Sequence, residues 1–273
     1  MTCAICKSSS FRVLLQANKI RFKCFGYMKS IIQCNSCKVV SLYPAWTEKK
    51  LEKLYLNYRH HKQDFKGQKR KKSVSPYLRE YIKKSDDVLE IGHGQGDNVN
   101  YLRALGYNVI GIDKDPLFCD EKTLLHKDYK DLSSSVDFIY AIQVFEHIPE
   151  PKKFIKKILS CLNPGGRFLL EIPNLDDPLR ILFKNKSFEK FYFYPYHVFF
   201  YNKNTASKLM ENSGTKFKVK LVQRYGIINH IRWNLFRKPG NFNAHIPIVD
   251  NIYKWILTEV FKVSDTLLII GEK

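Results

Sequence analysis

The chain of 273 residues carries 46 Lys and Arg against 26 Asp and Glu, a formal net charge of +20. That length holds one large domain plus a small one, and 44% apolar residues supply a core, which argues against a disordered chain. No stretch reaches the roughly 18 apolar residues that span a bilayer, and the N-terminus opens on Cys3-Ala-Ile-Cys6, not on a basic segment and an apolar run.

A soluble, cytoplasmic protein is expected. Its seven cysteines then read as metal ligands and buried thiols, not disulfides. The charge favours anionic partners: phosphates, nucleotide sugars, nucleic acid or an anionic membrane surface. The lysines are spread along the whole chain, however, so a merely solvated basic surface is the competing reading.

Residues 1–45 hold paired cysteines, short apolar runs and turn residues, the profile of a small β-rich zinc module. Cys3-x-x-Cys6 and Cys34-x-x-Cys37 are two knuckles 27 residues apart. Each places two thiolates on one Zn²⁺, and four protein ligands close the shell, so such a zinc is structural. Reduced, unliganded cysteines are the alternative. Cys24, Cys119 and Cys161 read as buried thiols.

Residues 46–84 form a helical linker. Leu51, Leu54 and Tyr58 recur at helical spacing over 46–60, with Thr47 as a cap. The basic stretch 60–72 reads as an exposed linker, and a helix is expected from Pro76 to Lys84.

From 85 to 175 strands alternate with helices, which implies a parallel sheet covered on both faces. Strands are expected at Val88–Ile91, Tyr107–Ile112, Leu124–His126 (weak), Asp137–Ile142 and Arg167–Ile172. Helices are expected at Asn98–Leu105 and Pro151–Leu162, with a turn at Asn163-Pro-Gly-Gly. Residues 176–273 add a helix at Thr205–Asn212 and strands at Phe217–Val222 and Thr266–Ile270, which complete the sheet beside a substrate-facing insertion.

The sharpest motif is Val88-Leu-Glu90-Ile-Gly92-His-Gly94-Gln-Gly96, at a strand-to-helix junction. Glycines there let the chain turn tightly and let a ligand approach without a Cβ clash. The spacing is G-x-G-x-G, and Asp97 stands where the dinucleotide fingerprint wants its third glycine. Glu90, just before the first glycine, suits the cationic amino-acid portion of S-adenosylmethionine better than a pyrophosphate. Asp113 lies 19 positions after Gly94, placed to accept both ribose hydroxyls. Asp128 could accept from the adenine amino group, and Gln143, after the fourth strand, would line the pocket.

Glu90-Ile-Gly-His-Gly-Gln-Gly, Asp113, Phe145-Glu-His147-Ile-Pro, Leu162-Asn-Pro-Gly-Gly-Arg-Phe and Glu171-Ile-Pro-Asn resemble the successive signatures of class I S-adenosylmethionine-dependent methyltransferases. The likeness covers about half the chain and implies a Rossmann-like sheet with helices on both faces, plus a zinc-ribbon-like module in front. The order of zinc knuckles, Pro44–Tyr55 and methyltransferase domain resembles a bacterial group that includes sugar C-methyltransferases and enzymes of polysaccharide biosynthesis. That resemblance implies a small acceptor, often a nucleotide-linked sugar.

Methyl transfer needs alignment, and a hydroxyl or acidic C–H acceptor also needs a base. His197, in the aromatic run Tyr192–Tyr201, is the leading candidate by its likeness to the family's histidine; a packed core histidine is the other reading. The group's C-methyltransferases carry Glu before that histidine, whereas this chain has Tyr196, so O-methylation is at least as plausible. His147 is a second candidate, with a loop-orienting role as its alternative. Arg224, Arg232 and Lys238 could hold an acceptor phosphate or form a solvated edge. The other function classes are an RNA or protein methyltransferase docking through its basic surface, and a zinc-containing scaffold with a vestigial pocket.

Overall fold

The computed structural model describes residues 2–16, 30–51, 74–116, 119–120, 122–193, 196–211, 213–237 and 246–273. The chain forms two units that are each discontinuous in sequence. One comprises Met1–Trp46, Ile172–Leu209 and Val219–Leu268; the other comprises Thr47–Glu171, Met210–Lys218 and Ile269–Lys273. Cys24, Tyr194, Lys238 and the basic 60–72 stretch lie outside the described residues.

The second unit is organised by five parallel strands. These are β4 (Asp87–Ile91), β5 (Asn108–Asp113), β6 (Leu124–His126), β7 (Val136–Ile142) and β8 (Leu162–Pro173). Their spatial order is β6-β5-β4-β7-β8, and every pairing among them is parallel. Residues 269–272 of β11 (Thr266–Glu272) and 216–218 of β10 (Lys216–Val222) follow in the order β8-β11-β10. Val88, Leu89, Val109, Phe138–Ala141 and Phe168–Leu170 are buried, the near-continuous apolar runs of a sheet covered on both faces. The chain winds from β4 outward through β5 to β6, then crosses back to β7 and β8. β4 therefore marks a switch point, and the crevice beyond its carboxyl end is where such sheets bind ligands. Right-handed crossovers in opposite directions put the helix after β4 and the helix after β7 on opposite faces. The fold is a Rossmann-like α/β fold.

Helix α1 (Leu78–Tyr81) is much shorter than the expected Pro76–Lys84. Ile82 turns extended, the Arg167 guanidinium takes the Tyr81 carbonyl, and the Lys83 N–H donates to Asp86. Helix α2 (Asp97–Ala104) starts after left-handed Gly96. Helix α3 (Pro151–Ser160) has proline in its first turn and buries Phe154, Ile155 and Ile158, while its lysines face out. The turn expected at residues 163–166 is absorbed into β8 as an irregularity: Leu162 pairs with Val136 and Arg167 with Phe138. Residues 48–51 are helical, and the Lys50 N–H reaches Thr47 Oγ1 at 3.4 Å.

The first unit carries a four-stranded sheet in the order β1 (Phe11–Gln16), β2 (Ser30–Cys34), β3 (Val40–Tyr43), β9 (Phe199–Phe200), all antiparallel. It also holds helices absent from the sequence-based expectation. They are α4 (Pro178–Ile181), α5 (Lys186–Tyr192), α7 (Ile227–Phe236) and α8 (Pro247–Trp255), beside the expected α6 (Lys203–Met210).

Phe154 packs edge-on to Tyr129 at 4.8 Å and against Phe145 at 5.5 Å between centroids, and it is fully buried. Phe154→Ala should lower the unfolding free energy by about 3–5 kcal/mol in urea titrations, through lost transfer energy and a cavity. Its exposed neighbour Lys153→Ala should stay within about 0.5 kcal/mol.

Candidate active site

The glycine bend begins where β4 ends. Gly92, Gly94 and Gly96 all have positive φ, at 77°, 54° and 75°, a region in which L-side chains are strained. Their surroundings differ. A Cβ on Gly92 would strike Val144 Cγ2 at 2.4 Å and one on Gly96 would strike Leu124, whereas a Cβ on Gly94 would meet nothing within 4 Å. The outer two glycines therefore serve packing, and the middle one faces open space. The Gly92 N–H donates to the Ile112 carbonyl at 2.7 Å, tying the bend to β5.

Asp113, the last residue of β5, sits against this bend. Its Oδ2 accepts from the Gly94 N–H at 2.9 Å and its Oδ1 from the Asp115 N–H at 2.8 Å. The side chain is half-buried, with the carboxylate fixed by two backbone donors. His93, between the glycines, is buried; its Nδ1 lies 3.0 Å from the Gly94 carbonyl oxygen and its Nε2 3.9 Å from Cys119 Sγ.

Glu90 is enclosed one residue before the end of β4. Asn98 Nδ2 donates to its Oε1 and the Tyr140 hydroxyl to its Oε2, each at 3.0 Å. Burial pushes the Glu90 carboxyl up to about 7, against the lowering effect of those two donors; Asp113 and Asp97 add to the rise. Two more acids are sealed at the ends of neighbouring strands. Glu171, fully buried in β8, accepts from Tyr77 Oη at 2.9 Å, Ser75 Oγ at 3.2 Å and Gln143 Nε2 at 3.3 Å. Glu146, just after β7, is pushed up to about 8 by burial, and the charge of Glu171 raises it further. Gln143 takes a left-handed φ of 56°, and its N–H donates to the Glu171 carbonyl.

The sequence-predicted residues Glu90, Gly92, Gly94, Gly96, Asp113 and Gln143 thus all lie at the carboxyl ends of β4, β5 and β7. Asp128 is placed differently: its Oδ1 accepts from the Lys130 N–H, and its Oδ2 pairs with Lys114 Nζ at 2.8 Å. His147 Nε2 lies 3.8 Å from Glu146 Oε1. His197 belongs to the other unit, half-buried with its ring 5.9 Å from that of Phe200. Arg232 lies over the Phe236 ring, and the backbone N–H groups of Arg224 and Tyr225 donate to Asp265. Sequence reasoning did not assign a role to Glu171, Tyr140, Asn98, Ser75 or Tyr77. The one available signal was an acid near the end of an otherwise apolar strand, Phe168-Leu-Leu-Glu171-Ile.

In the first unit the four knuckle sulfurs converge, all within 4.8 Å of one another. Cys3 Sγ lies 3.6 Å from Cys37 Sγ, and Cys6 Sγ 3.5 Å from Cys34 Sγ. Tetrahedral Zn–S bonds of about 2.3 Å put sulfurs about 3.8 Å apart, so the donor set fits that metal. The two knuckles also share a backbone. Lys7 and Lys38, each just past the second cysteine, have φ of 64° and 66°, and each N–H donates back to the first cysteine's carbonyl.

A family model described as a methyltransferase domain matches residues 58–218, more than half of the chain. The chain belongs to this methyltransferase family. A probable S-adenosylmethionine-dependent methyltransferase of Mycolicibacterium smegmatis is 31% identical over 98 residues, 32% of this chain and 38% of that relative. Trans-aconitate 2-methyltransferase of Rhodopseudomonas palustris is 29% identical over 115 residues, 38% of this chain and 45% of that protein. The chain thus spans less than half the length of these curated relatives. A solved S-adenosylmethionine-dependent methyltransferase from Archaeoglobus fulgidus aligns over 82% of this chain and 94% of its own, at 18% identity and a TM-score of 0.48.

The buried acid of β4 gives this methyltransferase-family chain a pH signature. A carboxyl raised from its ordinary value of 4.5 to about 7 in the fold holds its proton more tightly folded than unfolded. That contribution to stability is fully present below about pH 4.5 and is lost as pH rises through about 7. Urea midpoints of the ligand-free protein should therefore fall across this window. Glu90→Gln, which cannot ionise, should flatten its share of the fall, on the order of 3 kcal/mol.

Proposed function

We propose that this chain transfers a methyl group from S-adenosylmethionine to a small-molecule acceptor. The observation that carries the reading is the junction of Gly94, open to space, with Asp113, whose carboxylate is held against the same bend. Three further acids, Glu90, Glu146 and Glu171, stand at neighbouring strand ends in a chain whose net charge is +20. A cationic sulfonium and ammonium would favour the ionised forms of Glu90 and Glu146, which burial otherwise holds protonated up to about 7 and 8, whereas the pyrophosphate of a dinucleotide would oppose them.

The cofactor supplies an electrophilic methyl on sulfur, so the protein's own task is alignment, charge balance and removal of the acceptor's proton. Asp113 accepts from the ribose hydroxyls, and the bend at Gly92–Gly96 admits the methionine end without side-chain obstruction. Glu90 stands by with its oxygens held by Asn98 and Tyr140, so it acts on the ammonium through the field it contributes when ionised. Gln143 and the Glu171 it holds shape the wall beside it. Asp128, already paired with Lys114, reaches the adenine edge only if that pair opens. His197 and His147 are the candidate bases. His197 is the leading one and His147, whose Nε2 lies 3.8 Å from Glu146 Oε1, the second.

The acceptor in this reading is a sugar or nucleotide-linked sugar of bacterial glycan biosynthesis, methylated on oxygen or carbon. The basic surface supports an anionic acceptor. An RNA or protein acceptor draws on the same charge, and methylation assays with each class discriminate between them. The four cysteines hold one structural zinc that fixes β1 to β3, with no coordination position left for substrate.

Isothermal titration should show S-adenosylhomocysteine binding in the micromolar range. Asp113→Ala should weaken it about 100-fold, the loss of two hydrogen bonds to a charged acceptor; unchanged heat from that variant would falsify the cofactor assignment. Elemental analysis should find about one zinc per chain, lost in Cys34→Ser. Full zinc retention by that variant would refute the metal site.

A further inference from the structure

The C-terminal helices of the first unit have two contrasting faces. The inner face is tied down by polar contacts. Asp250, buried in α8, accepts from the Ile227 N–H at the start of α7 at 2.9 Å, and Gly226 leaves room for its carboxylate. His230 of α7 bonds to the Tyr253 hydroxyl of α8 through Nδ1, and Trp233 and Leu257 are buried. Large apolar side chains of these helices stand in the open: Leu235 is 68% exposed and Phe236 59% on α7, and Ile248 76%, Ile252 57% and Trp255 59% on α8. Single exposed apolar residues are ordinary, but Ile248, Ile252 and Trp255 recur at helical spacing along α8 and together mark an interaction surface.

The charge around that face selects the occupant. Asn185 Nδ2 donates to the Trp233 carbonyl, which sets the neighbouring Lys184 beside α7, while Lys186 pairs with Glu189 at 3.4 Å. Arg237 follows α7 directly, and Lys254 immediately precedes Trp255. The acids of the same elements are engaged: Asp250 is buried as a cap, Glu189 pairs with Arg180 at 3.3 Å, and Glu259 pairs with Lys262 at 3.2 Å. Apolar side chains including an exposed tryptophan, fringed by cations on amphipathic helices, have the composition of a membrane-interface element. Among the described residues no helix is long and apolar enough to cross a bilayer, so the contact is peripheral. A second copy is a poor occupant, because each carries +20 and the two would repel.

We propose that the outer face of α7 and α8 docks on an anionic phospholipid surface, with Trp255, Ile248 and Ile252 entering the headgroup boundary and the flanking lysines and arginines meeting lipid phosphates. The inference is independent of the methyl-transfer reading.

The full chain supplies its own reporter. Of its three tryptophans, Trp46 and Trp233 are buried and only Trp255 is exposed. Vesicles of phosphatidylcholine with phosphatidylglycerol should shift the emission to the blue, and phosphatidylcholine alone should not. The shift should weaken at high salt. In vesicle flotation, Ile248→Asp/Ile252→Asp should lower partitioning by more than about tenfold, whereas Val13→Asp, at an exposed apolar position of β1, should partition as the unsubstituted protein does. The emission experiment needs no variant, so misfolding of the double variant would leave the decision to it. The proposal is overturned if the emission fails to move with anionic vesicles, or if the double variant partitions unchanged. It is equally overturned if sedimentation shows a dimer that the double variant abolishes, since the face would then bind a second copy.

Discussion

Burying a carboxyl group is expensive, and this molecule does it three times at the carboxyl ends of adjacent parallel strands. Glu90, Glu146 and Glu171 sit where an apolar side chain would pack without cost, and a fourth acid, Asp113, is held by two backbone donors. Tyr140, Asn98, Tyr77, Ser75 and Gln143 are arranged around the acids as hydrogen-bond donors. A fold concerned only with stability gains nothing from such an arrangement. A cationic ligand repays it, because attraction in a desolvated pocket is strong.

The glycine bend and the acids depend on each other. Gly92 lets the chain leave β4 close over Val144, and Gly96 does the same over Leu124, so that the following helix begins beside the sheet. Gly94 then presents its N–H to Asp113 and its bare Cα to open space. The switch in winding direction at β4 creates the crevice; the residues decide what kind of ligand it admits.

The sheet was largely legible in the sequence because buried parallel strands read as short apolar runs, and even Leu124–His126 was visible as one. The glycine spacing and Asp113 were legible because they obey a fixed geometry between two strand ends. Helix α1 is shorter than its pattern predicts because a distant partner, Arg167 on the Tyr81 carbonyl, and a local one, Asp86 on the Lys83 N–H, end it early. The pairing of β3 with β9 joins residues 160 positions apart, which local pattern does not encode. Glu171 escaped because its significance lies in three donors from distant segments. Helices α7 and α8 escaped because apolar residues on both of their faces blur the helical period. That same feature makes their outer face chemically informative.

Hydrogen–deuterium exchange with and without S-adenosylmethionine tests the central claim most directly, since it reads the backbone of the bend itself. The account predicts added protection concentrated at residues 90–97 and 113–115, where the bend and the end of β5 would close on the ligand. Protection confined to other segments, or none at saturating cofactor, would contradict it.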